Sequence, residues 1–286
     1  MTDTILVTEH SVPESLPNTR IALGVEYDGS AFHGWQTQLD PGLPTVQTTL
    51  EQALSQVAAQ KVRVHCAGRT DTGVHAANQV VHFDTTSVRE LKAWVLGTNT
   101  ELKRKVAVRW AHPVPADFHA RFSAYSRRYR YTICNERVRP ALLASFVTGH
   151  QRPLDADAMH AAGQLLLGEQ DFTAYRAMSC QARSPMRNVT ELVVRRHGNL
   201  VVMDIEANAF LLHMVRNIMG VLLLIGEGKA APEWARQVLE SRDRKQAAKT
   251  AAPAGLSLLK VRYPLRFGLP ETLSAMQQFP FFTDFS

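Results

Sequence analysis

Cysteine is scarce in this chain, and its few copies are poorly placed for cross-linking. The 286 residues include three cysteines, Cys66, Cys134 and Cys180. Their odd number, their wide spacing and the lack of a CxxC pair argue against a disulfide framework and against a zinc ribbon. We therefore expect reduced thiols and a cytoplasmic protein.

Export signals and long hydrophobic runs are also lacking. The first nineteen residues have no basic start followed by an apolar run, so we expect a flexible tail there and not a signal peptide. The most apolar segment, residues 210–226, is interrupted by His213, Arg216 and Asn217, and it falls short of the roughly 20 apolar residues that span a bilayer. We predict a buried core helix in this segment and no association with a membrane.

Basic residues are in moderate excess and they occur in groups. Lys and Arg outnumber Asp and Glu by 32 to 26, which gives a net charge of +6 and a pI near 9.4. This balance favours a polyanionic partner such as RNA, although ordinary solvated faces account for roughly half of such residues. The groups are Lys103, Arg104 and Lys105; Arg127, Arg128 and Arg130; and Arg183, Arg187, Arg195 and Arg196.

Hydrophobic periodicity divides the first half of the chain into short strands and helices. Alternation over residues 21–27 predicts a strand that ends at the turn Asp28-Gly29-Ser30, and Thr45 is a candidate helix start. The predicted elements are a strand at 21–27, a helix at 46–57, strands at 62–66 and 79–83, a helix at 91–96 and a strand at 106–110. This order is the βαββαβ arrangement of ferredoxin-like domains.

The second half repeats that order without evident sequence identity. The predicted elements are a strand at 128–134, a helix at 156–167 capped by Asp155, strands at 189–195 and 200–206, a helix at 210–225 and a strand at 256–262. We predict an α+β protein of two ferredoxin-like (RRM-like) units that share an antiparallel sheet with a central active-site cleft. The predicted domains are residues 20–125, which carry the catalytic loop, and 126–270, between tails at 1–19 and 271–286.

One loop between two predicted strands carries the strongest candidate for chemistry. Residues 66–76 read Cys-Ala-Gly-Arg-Thr-Asp-Thr-Gly-Val-His-Ala, and the two glycines allow tight turns around Asp71. If the segment is extended, Arg69 and Asp71 point to the same side, and a nearby guanidinium keeps a carboxylate ionised, as a nucleophile requires. The alternative is that Asp71 only caps a turn.

The same loop resembles the signature of the TruA-type tRNA pseudouridine synthases. Five further segments match that family in the expected order, over roughly residues 20–265. They are residues 27–36 (Tyr-Asp-Gly-Ser-Ala-Phe-His-Gly-Trp-Gln), 118–122 (Phe-His-Ala-Arg-Phe), 127–131 (Arg-Arg-Tyr-Arg-Tyr), 179–183 (Ser-Cys-Gln-Ala-Arg) and 214–220 (Met-Val-Arg-Asn-Ile-Met-Gly).

The resemblance implies a role for several individual residues. Asp71 corresponds to the family's nucleophile and Arg69 to a residue involved in base flipping. Tyr129 corresponds to the tyrosine that packs on the target base, and Arg216 to an arginine that pairs with the aspartate. Leu256 resembles an apolar pocket residue, in a less diagnostic motif.

The resemblance also implies how the RNA is bound. Two segments are expected to touch it, with Arg121 and Arg183 on phosphates. They are Phe118, His119, Ala120, Arg121 and Phe122, and Ser179, Cys180, Gln181, Ala182 and Arg183. The implied protein is a homodimer that isomerises uridines 38, 39 and 40 of the tRNA anticodon stem-loop.

These residue types fit the reaction. Conversion of uridine to pseudouridine breaks the N1–C1′ bond, turns the uracil and joins C5 to C1′, so it needs a nucleophile but no cofactor or metal. Attack at C1′, a glycal route and addition to C6 all remain open. The base must also leave its stack, for which an arginine and an aromatic residue such as Arg69 and Tyr129 are suited.

Other interpretations predict different behaviour. Tyr129 could be a sheet-face residue and Arg216 could pair with any buried acid. A non-catalytic RNA-binding module would bind RNA without changing it, and an RNA chaperone would help RNA fold even when inactive. A metal-dependent hydrolase would need ligands such as His65, Cys66, His75 and His82, whose spacing fits no standard metal site.

Overall fold

The computed structural model describes residues 18–38, 40, 42–102 and 104–270. Most of both predicted tails, residues 1–17 and 271–286, therefore lies outside the described residues, as does Lys103 of the first basic group. The first strand begins at Thr19, one residue before the predicted start of the first domain.

The described residues form five α-helices and ten β-strands, joined by loops and short 3-10 turns. The elements of the first half are β1 (Thr19–Tyr27), α1 (Val46–Ala58), β2 (His65–Cys66), β3 (His75–Thr85), α2 (Leu91–Glu101) and β4 (Val106–Val114). Those of the second half are β5 (Ser126–Cys134), β6 (Thr148–Gly149), α3 (Ala156–Gln164), β7 (Gly168–Asp171), β8 (Met186–His197), β9 (Leu200–Ala207), α4 (Met214–Gly226), α5 (Trp234–Ser241) and β10 (Leu256–Arg262).

All ten of these strands belong to one sheet. Its main order is β4-β1-β3-β10-β5-β9-β8-β7, with β2 paired to β3 and β6 paired to β5. The α+β class is confirmed, and most strand pairs are antiparallel as predicted. Two pairs are exceptions, because β10 runs parallel to β3 and β6 runs parallel to β5. Since β10 pairs antiparallel with β5, its direction is already fixed where it meets β3.

Helix starts follow the capping residues in the sequence. The Thr45 side chain accepts a hydrogen bond from the backbone N–H of Thr48 at 3.2 Å, and Asp155 accepts one from Ala158 at 2.9 Å. These bonds satisfy amide groups that the first helical turn leaves without partners. Helices α1 and α3 therefore begin where the sequence predicts them to begin.

Helix α4 starts later than the predicted residue 210, because His213 has a left-handed backbone conformation with φ 61°. The preceding residues, Phe210 to Leu212, are not helical and line a cleft. From Met214 onward the helix is buried in the core, as its apolar composition predicted. None of the helices within the described residues is long and apolar enough to cross a membrane.

The second basic group is largely internal and does not form a solvated face. Arg130 donates two hydrogen bonds to the carboxylate of Asp204, at 2.7 and 2.6 Å, and both side chains are buried. Arg128 donates to Glu191 at 2.9 Å. A buried arginine needs such partners because unpaired burial of a charge is costly. This group therefore contributes to the sheet and leaves little free charge for RNA.

Candidate active site

The loop that carries Asp71 is held from several directions. The backbone N–H of Trp35 donates to the Thr70 carbonyl at 3.0 Å, and the Tyr27 and Thr70 hydroxyls are 2.8 Å apart. The Gln79 side chain brackets Gly68, donating to its carbonyl at 2.6 Å and accepting from its N–H at 3.3 Å. Because these bonds fix the backbone before Asp71, its carboxylate is presented in a defined position.

Gly29, in the first family-like motif, packs directly on this loop. A Cβ atom at Gly29 would lie 1.9 Å from the Val74 carbonyl oxygen, so only glycine fits without displacing the backbone. The Gly29 N–H donates to Nδ1 of His75 at 3.1 Å, and Nε2 of His75 lies 2.6 Å from the Ser145 carbonyl. Burial lowers the pKa of His75, so a neutral ring that donates from Nε2 satisfies both contacts.

The Asp71 carboxylate is paired with a residue far away in the sequence. Nη1 of Arg216, on α4, donates to Oδ2 of Asp71 at 2.9 Å, and Nε of the same guanidinium donates to the Ala251 carbonyl at 2.9 Å. Both side chains are partly buried, with 14% of Arg216 and 23% of Asp71 exposed. A charge-assisted bond of this length orients the carboxylate.

The expectation from spacing alone placed a different guanidinium beside Asp71. Arg69 is an exposed residue of the cleft wall, and the ion pair of Asp71 is made with Arg216. The physical reason is that residues 67–74 form a loop between β2 and β3 and not a strand. This loop turns at Asp71, where the N–H of Val74 donates to the Asp71 carbonyl at 3.1 Å and Gly73 has φ +78°. Alternation of side chains therefore does not apply here.

His213 is a site residue that the sequence analysis did not select. Its Nε2 lies 3.4 Å from Oδ2 of Asp71, beside the Arg216 contact. Its left-handed backbone, which is uncommon for a residue other than glycine, directs it from the turn before α4 into the cleft. The available sequence signal was a histidine directly before the Met-Val-Arg-Asn segment.

Tyr129 and Leu256 supply apolar surface near the carboxylate. Tyr129 lies on β5 with its ring edge-on to Phe210, at a centroid distance of 5.1 Å. Burial raises the pKa of the Tyr129 hydroxyl, so the side chain is neutral. Leu256, the first residue of β10, lines the same cleft. An aromatic ring and an aliphatic side chain at this place can enclose a planar base.

These residues line a cleft of about 930 Å³. Among the described residues that form its wall, one is acidic, Asp71, and six are arginines. The arginines are Arg63, Arg69, Arg121, Arg127, Arg187 and Arg216. Such an excess of positive charge around a single carboxylate favours binding of a polyanion.

The two predicted RNA-binding segments are only partly in this cleft. In the first, His119, Arg121 and Phe122 line the wall, whereas Phe118 and Ala120 are fully buried. Phe118 packs against Tyr263 and Phe267.

In the second segment, Ser179, Cys180, Gln181 and Ala182 line the wall, and Arg183 is exposed outside it. Each segment therefore brings some predicted contacts to the cleft and leaves others away from it.

Arg127 has a supporting role that its place in a basic group did not suggest. It is buried, and its guanidinium donates to the carbonyls of Ala67, Arg121, Ala124 and Asn208. Burial lowers its pKa. These bonds join the start of the Asp71 loop to two other stretches of the cleft wall.

The histidines that were candidate metal ligands are not assembled around one point. His65 and His82 are stacked with ring centroids 5.0 Å apart, but His75 is engaged with Gly29 and Ser145. Burial raises the pKa of the neighbouring Cys66 thiol to about 12, which disfavours the thiolate that a metal requires. Within the described ranges, no group of three or more His, Cys, Asp or Glu residues could hold a metal ion.

Comparison with known proteins identifies the family of this chain. A family model described as tRNA pseudouridine synthase matches residues 24–123 and 162–264. Curated proteins named tRNA pseudouridine synthase A are similar over most of the chain. The relative from Aliivibrio fischeri strain MJ11 is 56% identical over 251 residues, covering 88% of this chain and 95% of its own. That from Pseudomonas aeruginosa strain PAO1 is 56% identical, covering 88% of each chain.

A relative from Salmonella newport strain SL254 is 55% identical and covers 90% of this chain and 95% of its own. A chain in the crystal structure of a Cbf5–Nop10–Gar1 complex is 10% identical with a TM-score of 0.32, covering 83% of this chain and 57% of that one, a similarity too weak to bear on the fold. The family match and the curated relatives show that the chain belongs to the tRNA pseudouridine synthase family. It is an isomerase that forms pseudouridine in tRNA.

Proposed function

We propose that this enzyme acts on uridines 38, 39 and 40 of the tRNA anticodon stem-loop, with Asp71 as its nucleophile. The observation that carries the proposal is the ion pair between Asp71 and Arg216 inside an arginine-lined cleft. The tRNA substrate follows from the family, and the anticodon positions follow from the resemblance of the motifs described above.

Asp71 is suited to the reaction because Arg216 orients its carboxylate while 23% of the side chain stays exposed. The overall change breaks N1–C1′, joins C5 to C1′, removes a proton from C5 and adds one at N1. Attack of the carboxylate on C1′, its assistance of a glycal route and its addition to C6 are all compatible with this balance. In each route Arg216 keeps the carboxylate in place, and the anchor at Ala251 keeps Arg216 in place.

Arg69 and Tyr129 are proposed to handle the flipped base. Arg69 is exposed on the wall of the cleft, where it can enter the space that the base leaves in the stack. Tyr129, backed by Phe210, and Leu256 are proposed to enclose the uracil. Arg121, at the wall, and Arg183, outside it, are proposed phosphate contacts.

We further propose that the two halves of the chain are two ferredoxin-like domains, residues 20–125 and 126–270. Support comes from equivalent strand orders, β4-β1-β3-β2 in the first half and β10-β5-β9-β8 in the second. We also propose that the enzyme works as a cytoplasmic homodimer that binds one tRNA across both subunits, as the resemblance implies.

Mapping of modified positions tests the proposed target. A tRNA transcript with uridine at 38, 39 and 40 is incubated with the enzyme, treated with a carbodiimide that marks pseudouridine, and read by primer extension. A matched transcript with cytidine at these three positions is the control. We expect stops at the three positions in the first transcript only; stops confined to another stem or loop would contradict the proposal.

A further inference from the structure

Four aromatic side chains pack against one another at the cleft, and three of them, His65, His119 and Phe122, line its wall. His65 stacks on His82 with centroids 5.0 Å apart, His82 meets His119 at 4.6 Å, and His119 meets Phe122 at 4.4 Å. We call these four residues the ring column. Its inner part is buried at His82, whereas Phe122 is 75% exposed.

The exposed end of the ring column opens into the cleft that contains Asp71. Phe122 lines the same cleft as Asp71, and Arg121 lies with its Cζ atom 5.5 Å from the centre of the Phe122 ring. An isolated exposed phenylalanine needs no explanation in itself. Here the exposed ring is supported from behind by other rings, and it shares a wall with cations that can hold phosphates.

Backbone contacts hold the ring column in position before any ligand arrives. Nδ1 of His82 accepts a hydrogen bond from the N–H of Ala120 at 3.1 Å. Nδ1 of His119 accepts from the N–H of Arg121 at 3.1 Å and from that of Phe122 at 3.4 Å. The two histidines therefore fix the segment that presents Phe122, which lowers the entropic cost of binding a partner there.

Two histidines of the ring column, His82 and His119, have lowered pKa values that favour the neutral ring. Burial, together with nearby positive charge, lowers the pKa of His82 to about 3. The pKa of His119 is also lowered, mainly by burial. Uncharged rings favour stacking with a planar neutral group over binding of a phosphate. Arg121, which is beside them on the cleft wall, can bind a phosphate through its positive charge.

We propose that Phe122 is a second base-binding position, on which an unpaired nucleobase of the tRNA other than the target uridine stacks. The proposal rests on the proposed function, since it takes the anticodon loop as the source of that base. Any nucleobase can stack because each has a π-face, so the position would hold the loop without requiring one sequence. It would thereby steady the RNA on one side of the flipped uridine.

A double-mutant cycle tests this contact. Wild-type enzyme and Phe122→Leu are each titrated with tRNA in which one unpaired loop nucleotide at a time is abasic. We expect Phe122→Leu to raise the Kd for intact tRNA by about tenfold, within the range of base–aromatic stacking. At one loop position the abasic tRNA should bind both proteins equally, because the stacking partner is already missing.

Control variants separate stacking from a structural role. Tyr125→Leu removes another exposed aromatic side chain that is not part of the cleft wall, and it should leave the Kd unchanged. Phe122→Tyr keeps an aromatic ring and should restore binding to within about twofold of wild type. A merely structural role would lower Tm and would give the same loss for intact and abasic tRNA.

The outcomes are distinct from those of the proposed function. Equal Kd values for wild type and Phe122→Leu, or a loss that is the same at every abasic position, would overturn base stacking while leaving pseudouridine formation intact. If the modified uridine proves to lie in another loop, the proposed target fails. The abasic positions are then placed in that loop, where coupling to Phe122 would still support this inference and lack of coupling would overturn it.

Discussion

Replacement of Arg216 by methionine should reduce turnover with little change in tRNA affinity. The change removes the guanidinium but keeps a long side chain on α4. It breaks the bond to Oδ2 of Asp71 and the bond to the Ala251 carbonyl, each 2.9 Å long. The carboxylate then loses the partner that orients it, while most of the cleft wall is unaltered.

The magnitude follows from the type and the burial of the lost bond. A hydrogen bond to a charged group contributes about 1.5–3 kcal/mol. Since 14% of Arg216 and 23% of Asp71 remain exposed, the lower part of that range applies. A loss of about 1.5–2 kcal/mol in transition-state stabilisation corresponds to a fall of about 10- to 30-fold in kcat.

Single-turnover and steady-state tritium release from tRNA labelled at uridine C5 measures this effect. Arg216→Lys should be intermediate, because an ammonium group retains the charge but lacks the fork that reaches both partners. Arg236→Met, on the exposed face of α5, removes the same charge away from the cleft and should have no effect. A wild-type kcat in Arg216→Met, with the fold intact by Tm, would show that this ion pair does not orient Asp71 for the reaction.

Three further predictions concern packing, salt and pH. Gly29→Ala should displace the Asp71 loop, because its Cβ would overlap the Val74 carbonyl; crystallography and a Tm drop of several degrees would reveal it. In the Arg121→Ala, Arg183→Ala double variant, the slope of log Kd against log salt should fall by about 1.5, and an unchanged slope would count against both phosphate contacts. Burial depresses the pKa of His82 to about 3, so the folded protein keeps this ring neutral where the unfolded chain protonates it. The free energy of unfolding should therefore be unaffected by His82 above pH 6.5 and should fall at lower pH, by about 2 kcal/mol at pH 5. This pH-dependent loss, measured by chemical denaturation, should vanish in His82→Gln.

Local sequence signals predicted most element types because they depend on neighbouring residues. The caps at Thr45 and Asp155 and the apolar pattern over residues 21–27 are local features, and the structure has two helices and a strand at these places. The short strands β6 and β7 and the helix α5 were not predicted. Strands β6 and β7 have two and four residues and α5 has eight, too few to establish a clear hydrophobic period.

Local sequence patterns could not predict contacts between residues that are far apart in the sequence. The resemblance to a family suggested the partner of Asp71, whereas spacing alone pointed to Arg69. The role of Arg127 depends on four carbonyls that meet only in the folded chain. His213 reaches Asp71 because its own backbone adopts a left-handed conformation. A histidine in the sequence does not predict that conformation.

Asp71 is proposed to carry out the chemistry in a cleft that binds tRNA independently of this side chain. Tritium release from tRNA labelled at uridine C5 tests this role, with wild type and Asp71→Asn compared at equal occupancy and with chelator present. We expect stoichiometric release by wild type and none by Asp71→Asn, with similar Kd values for the two proteins. Release by Asp71→Asn at the wild-type rate would show that Asp71 is not the nucleophile.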